Sequence, residues 1–413
     1  NIIEESIRHP EKNYLVLVPE QFTMQTQKDL CLMHPRGGIM NIDVLSFGRL
    51  AYRVFEEVGQ DDRMVLDDEG KNLILRKIAG NYEDELTVLK GNLKKQGYIS
   101  EVKSVISEFT QYGVDFERLD EFMDSINPDS YLYYKLKDIR KVYEGFEDYL
   151  SEKYITKEEM LDVLSDAVPR SNILKGSVVA MDGFTGFTPV QDRLLGELLK
   201  VCDKVMITVE MDEREDPFVY RHPYQLFALS KQMVASLVEI ARDTKTEVED
   251  PVYLYQKPPK RFEHNAELAF LESELFRYSG KQYRQKDEPG KDGPEEKQNG
   301  YAGAVSLHEA RNPRAEAQYV AEGIRYLVRE KGYRYRDIAV ITADMNVYAD
   351  ALEKACGLFD IPVFMDHKKS ILLNAFVEYL RSLLAMAEEN FTYDSVFRFL
   401  RTGLCGFTDE EVD

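Results

Sequence analysis

Six short apolar runs, each long enough for one strand and each bounded by turn residues, constrain this chain more than any other feature. They fall at Tyr14–Pro19, Ile42–Phe47, Ser177–Asp182, Lys204–Val209, Val305–His308 and Asp337–Thr342. Helical patterns separate most of them, which is the signature of an α/β fold on a parallel sheet whose strands are covered on both faces. One block breaks the alternation. Between Asp62 and Val168, Val102, Val105, Ile106 and Phe109 follow i, i+3, i+4, i+7 spacing. Leu132, Leu136, Ile139, Tyr143, Phe146 and Leu150 continue with steps of three and four. Both are core stripes of packed helices. The expectation is therefore a helical domain at 62–168 inserted into an α/β domain formed by 1–61 and 169–279.

The stretch Gly280–Gly300 has ten charges, four glycines and two prolines in 21 residues, with Tyr283 its only large apolar side chain. It cannot bury a core and is expected to be a linker. The βα alternation then resumes, with Asn312 as N-cap and Pro313 in the first turn of a helix that Gly332 stops. A second, incomplete α/β domain is expected at 301–413. A length of 413 residues agrees with more than one domain, because single cores stop growing at roughly 250–300 residues. The chain starts on Asn1 inside a helical pattern and stops after an amphipathic segment, so a fragment of something longer is expected.

Charge narrows the function classes. The formal net charge is −21, which argues against binding nucleic acid through a global basic field but leaves a local channel open. No apolar stretch approaches the roughly 18–20 residues of a membrane span. Cys31, Cys202, Cys356 and Cys405 lie far apart, so neither a disulfide framework nor a zinc site is suggested, and a reducing, cytoplasmic setting fits. Cys31 and His34 have metal-compatible spacing but no accompanying pair.

Catalytic motifs are largely missing. There is no G-x-x-x-x-G-K-S/T phosphate loop, no G-x-S-x-G elbow and no H-E-x-x-H. The best positive signal is SVVAMDGFTGFTPVQ, Ser177–Gln191. A strand ending in Asp182 is where nucleotide-hydrolysing α/β proteins hold magnesium, but Gly183 stands where a catalytic Glu usually follows. Asp-Gly is also an ordinary turn, and Thr188 to Gln191 reads as a capping box. A second signal is convergence. Gln21, Phe22 and Thr23 follow the first strand, Phe47, Arg49 and Tyr52 the second, Phe184 and Phe187 the third. In a parallel sheet all of them reach the C-terminal edge, where aromatics, a guanidinium and amides can stack on and hydrogen-bond single-strand bases. The plainer alternative is that Phe47 and Tyr52 pack beneath the helical block.

These same residues carry a resemblance. VLVPEQFT (Val16–Thr23), VLSFGRLAYRV (Val44–Val54), VAMDGFTGFTPVQ (Val179–Gln191), EARNPRAEA (Glu309–Ala317), REKGYRYRDIAVIT (Arg329–Thr342) and IPVFMD (Ile361–Asp366) stand in the order seen in the AddB family. AddB proteins are the B subunits of AddAB ATP-dependent helicase–nucleases. The resemblance covers essentially the whole chain. It implies a RecA-like domain of the P-loop NTPase, UvrD-like helicase type, interrupted by a helical domain and followed by the start of a second RecA-like domain.

It further implies that the whole protein uses ATP and Mg2+ and carries a 4Fe–4S cluster in a nuclease domain. The phosphate loop and the nuclease are both missing here, so no cofactor and no catalytic residue are expected on this chain, and none of its cysteines matches the cluster positions. In the family an AddA-like motor subunit is the partner, and AddB guides the 3′-ended strand and recognises Chi during recombinational repair of double-strand breaks. The family's DNA-reading residues match Glu20, Gln21, Thr23, Phe47, Arg49, Tyr52 and Phe184, with Tyr52 where some relatives have Trp. Asp182 and Gln191 match a degenerate nucleotide site. Two rivals remain at this level: a working ATP-driven helicase, and a scaffold that only docks its motor partner.

Overall fold

The computed structural model describes residues 2–59, 63–92, 95–151, 153–256, 259–283, 304–366 and 370–407, the side chain at 96 excepted. Most of the expected linker and the stretch 301–303 lie outside them. The chain divides into two compact units, Asn1–Lys260 and Arg261–Asp413.

The first unit opens with α1 (Ile2–Arg8), β1 (Tyr14–Leu17), α2 (Thr23–Met33), β2 (Ile42–Leu45) and α3 (Phe47–Val58). The helical block follows: β3 (Met64–Leu66), α4 (Asp68–Asn81), α5 (Gln96–Gln111), α6 (Phe116–Asp124), α7 (Tyr131–Leu150) and β4 (Tyr154–Thr156). The chain returns through α8 (Glu159–Ala167), β5 (Val178–Met181), α9 (Pro189–Val201), β6 (Lys204–Ile207) and α10 (Ala228–Asp243). Four of the strands form one parallel sheet in the order β2-β1-β5-β6, with Tyr14 level with Ile42 and Val178, and Val178 level with Lys204. The first four expected strands are thus present.

Both faces of the central strands are buried, as their unbroken apolar runs require. Leu15, Leu17, Val179 and Met181 pack with Leu50 and Val54 of α3, Leu164 of α8 and Leu194 and Leu198 of α9. Tyr14, Val16, Val18, Ile42, Val44 and Val178 form the opposite layer with Ile2, Ile3 and Leu30. Each such aliphatic side chain contributes about 1.5–3 kcal/mol through burial.

The helical block has its own core, including Leu75, Ile78, Val102, Ile106, Ile139, Val142 and Phe146. It is entered and left through β3 and β4, which pair in parallel with Met64 opposite Tyr154. Next to this ribbon Lys71 Nζ lies 2.6 Å from Glu158 Oε2 and donates to Ser107 Oγ at 3.3 Å. Gly145 lets α7 lie close to α4, because a Cβ there would come within 2.7 Å of the Tyr82 ring. Asp138 ties α7 to the loop before α5 by accepting from the backbone N–H groups of Thr87, Val88 and Leu89.

On the return, packing departs from the expected boundary. Met160, Leu164, Ala167 and Val168 belong to the core of the sheet, so the structural return falls near 155 and not at 168. An amphipathic helix looks the same whichever core its stripe joins, which is why periodicity did not separate the two.

The second unit holds α11 (Ala266–Glu274), α12 (Pro313–Glu330), α13 (Met345–Leu358), α14 (Ala375–Glu388) and α15 (Tyr393–Leu400). Residues 261–279, expected with the first α/β domain, fall in this unit. Asn312 caps α12 as anticipated, accepting from Ala315 N–H at 2.9 Å. Ala317, Ala321 and Ile324 pack on Leu352, Ala355 and Cys356 of α13. The strands expected at Val305–His308 and Asp337–Thr342 do not form. Both segments lack a ladder among the described residues, and Leu307 and Ile341 are more than nine-tenths exposed. A strand is a property of pairs, and no described segment of this unit offers the backbone partners.

Candidate nucleic-acid interface

The register brings four strand ends to one level. Val18 N–H donates to Leu45 O, Asp182 N–H to Leu17 O and Thr208 N–H to Met181 O, each one residue beyond its strand. The loops that leave this edge carry the residues singled out above.

After β1, Pro19 leads into a single 3-10 turn, Glu20–Phe22, from which α2 starts. Gln21 and Phe22 are exposed on that turn. Thr23 is buried, and its hydroxyl donates to Glu20 O at 3.0 Å, so it shapes the loop instead of facing outward. After β2, Ser46 caps α3 by accepting from Arg49 N–H at 3.3 Å. That cap aims the first turn of α3 over the edge. Arg49 Nε then lies 3.0 Å from Glu20 Oε1, joining the first two loops through an exposed ion pair. Tyr52, one turn further along α3, is 56% exposed.

The third loop follows β5. Phe184 and Phe187 pack against Phe47 with ring centroids at 5.3 and 6.4 Å, and against each other at 5.4 Å. Phe47 is only 8% exposed and belongs to the core of the sheet. It supports Phe184 from below; it does not present a face. Of the seven residues matched to DNA reading, five therefore reach the surface and two, Thr23 and Phe47, lie beneath it.

Asp182 stands at the rim with its carboxylate accepting from the Thr208 hydroxyl. Gly183 adopts φ +77°, and a Cβ there would meet Pro19 at 3.6 Å and Phe22 at 3.9 Å. That left-handed backbone costs a residue with a side chain roughly 1–2 kcal/mol, which suits a glycine at this turn. Gln191 completes the capping box of α9, its side-chain oxygen accepting from Thr188 N–H at 2.9 Å. Both side chains are thus engaged in contacts of the rim and of the helix start. Cys202 and Cys356 do not suit an iron–sulfur cluster. Burial pushes the Cys202 and Cys356 thiols up, away from the thiolate form a cluster needs, and among the described residues no three His, Cys, Asp or Glu side chains converge to hold a metal.

Thr208 is the rim residue that motif reading passed over. The signal was present, since it follows an apolar run as directly as Asp182 does. Among the described residues no helix is long and apolar enough to cross a membrane.

Fold and edge together define an α/β protein with a parallel sheet, a helical insertion and a rim of loops at the strand C-termini. The family model "ADDB, N-terminal" matches residues 1–272, and the chain belongs to the AddB family. It is 40% identical, over its whole length, to the B-type subunit of the ATP-dependent helicase/deoxyribonuclease of Lachnoclostridium phytofermentans, covering 35% of that protein. The proteins of the same name from Caldanaerobacter subterraneus and Clostridium kluyveri are 34% and 33% identical over 100% and 98% of the chain. The chain spans 34% of each of these two relatives.

Proposed function

We propose that this chain is the strand-guiding, helicase-like part of a DNA-repair helicase–nuclease subunit. In this reading residues 1–61 and 169–279 form a RecA-like lobe of UvrD type around a helical insertion, and residues 301–413 are the start of another. The rim binds the 3′-ended single strand and reads Chi within it, while an AddA-like partner in the cytoplasm supplies the motor for recombinational break repair. The observation that carries the reading is the meeting of Glu20, Gln21, Arg49, Tyr52 and Phe184 on one edge of an AddB-family chain.

The chemistry fits a single strand. Tyr52 and Phe22 offer exposed rings on which bases stack, each such contact contributing about 1–3 kcal/mol. Gln21 can pair with a base edge through both its carbonyl and its amide. The Arg49–Glu20 pair is solvent-exposed, and such pairs contribute about 0–1 kcal/mol. A phosphate can therefore draw the guanidinium away at small cost, with Glu20 holding it ready until then. Confinement of these groups to one rim reconciles DNA contact with a net charge of −21.

Fluorescence anisotropy with labelled single-stranded oligonucleotides tests the reading. Tyr52→Ala is expected to weaken binding by roughly 5-fold or more. Arg49→Ala is expected to reduce the slope of log affinity against log salt by about 0.7. Unchanged affinity and slope in both variants would remove the rim from DNA binding.

A further inference from the structure

We infer that the β6–α10 connection is a fourth strand-binding loop, carrying an aromatic and guanidinium site for single-stranded DNA around Arg221, His222 and Tyr224. The inference rests on the rim reading above and extends it to a segment outside the three matched loops.

Placement comes from helix packing. The Asp192 carboxylate on the first turn of α9 accepts from Ser236 of α10 at 2.8 Å. Four residues further along α9, Gly196 lies against Ile240 of α10. The two helices therefore run in the same direction, and α10 begins at Ala228, two turns before Ser236. At 1.5 Å per residue its start projects about 12 Å beyond the level of Asp192, and so past the start of α9. That first turn lies at the strand C-termini, so residues 209–227, which connect β6 to α10, rise on the rim side of the sheet.

The loop is held firmly at its base. Lys231 of α10 is 4% exposed and its ammonium lies 2.6 Å from Glu215. Asp212 pairs with Arg214, and Asp216 accepts from Phe218 N–H. With those acids engaged, the outer part presents Tyr220, Arg221, His222 and Tyr224. The rings of His222 and Tyr224 are stacked with centroids 5.0 Å apart at 6°, and Tyr224 is 81% exposed. Among the described residues Arg221 has no acidic partner. A parallel ring pair with one open face takes a base, and an adjacent guanidinium takes the phosphate that follows it.

The test compares short and long oligothymidylates, about 5 and about 16 nucleotides, binding to the 413-residue chain. Tyr224→Ala is expected to weaken the long strand by about 5-fold and leave the short one unchanged, with Tyr224→Phe restoring the loss. Arg221→Ala is expected to lower the salt slope for the long strand by about 0.7. Tyr52→Ala, run alongside, reports on the rim itself. If Tyr52→Ala weakens both strands while the Tyr224 and Arg221 variants match wild type at both lengths, the fourth loop is overturned and the rim stands. If the wild type binds neither strand, both are overturned.

Discussion

The two units contain apolar runs that look alike and behave differently. YLVL in β1 and VVAM in β5 are paired on both sides and buried. The runs around Leu307 and Ile341 in the second unit have comparable composition but stand unpaired and exposed. An apolar run reports a preference for extended backbone, whereas a sheet depends on neighbours with matching register. In the first unit that register also makes the rim, since level strand ends are what bring Glu20 to Arg49 and Phe184 over Phe47.

Hydrogen exchange on the whole chain should give the widest separation between the two regions. Amides of β1 and β5 should exchange at least about 1,000-fold more slowly than those of 305–308 and 338–342. Equal protection would show that the second unit completes a sheet after all.

Phe47→Ala should be the next largest effect, a loss of about 3–5 kcal/mol in the stability of the first unit, read by chemical denaturation. The unit holding α12 and α13 should keep its transition. A variant as stable as wild type but weaker in DNA binding would mean that Phe47 touches the strand directly.

A smaller contrast is in pH dependence. Burial, reinforced by the neighbouring Glu159 carboxylate, pushes Glu147 up to about 7 from an ordinary 4.5. The folded state thus holds a proton that the unfolded state releases at lower pH, so stability falls as pH rises from about 4.5 through 7. In the second unit Asp337 and Glu378 are held below the usual carboxylate range by Arg334 and Arg398, and lose their small contribution as pH falls. Glu147→Gln should flatten the rise-with-acid trend of the first unit alone, measured by thermal melts between pH 5 and pH 8. An unaltered pH profile would assign the trend elsewhere.

Much of the fold was legible because strand and helix periods differ. The first four strands, the α7 stripe from Leu136 to Leu150 and the Asn312–Pro313 helix start stand where the pattern puts them, while Leu132 at the head of that stripe is exposed. What was illegible concerns partnership. Nothing in the stripe of α8 says that Leu164 joins the sheet's core and not the helical one. Phe47 and Tyr52 both read as aromatics beyond a strand, yet one is buried and the other open, because α3 turns one inward and the other outward. The rim itself was legible from three loops in a parallel sheet. Its fourth side, beginning at Thr208 and rising to Tyr224, carried no family motif to mark it.

Photochemical cross-linking would locate the bound strand on the chain. A single-stranded oligonucleotide carrying halogenated uracils is irradiated with the 413-residue chain, and the adducts are located by peptide mass mapping. Adducts are expected on the peptides holding Phe22, Tyr52 and Phe184. Adducts confined to residues beyond Arg261, or spread evenly over the helical block, would contradict binding at the rim.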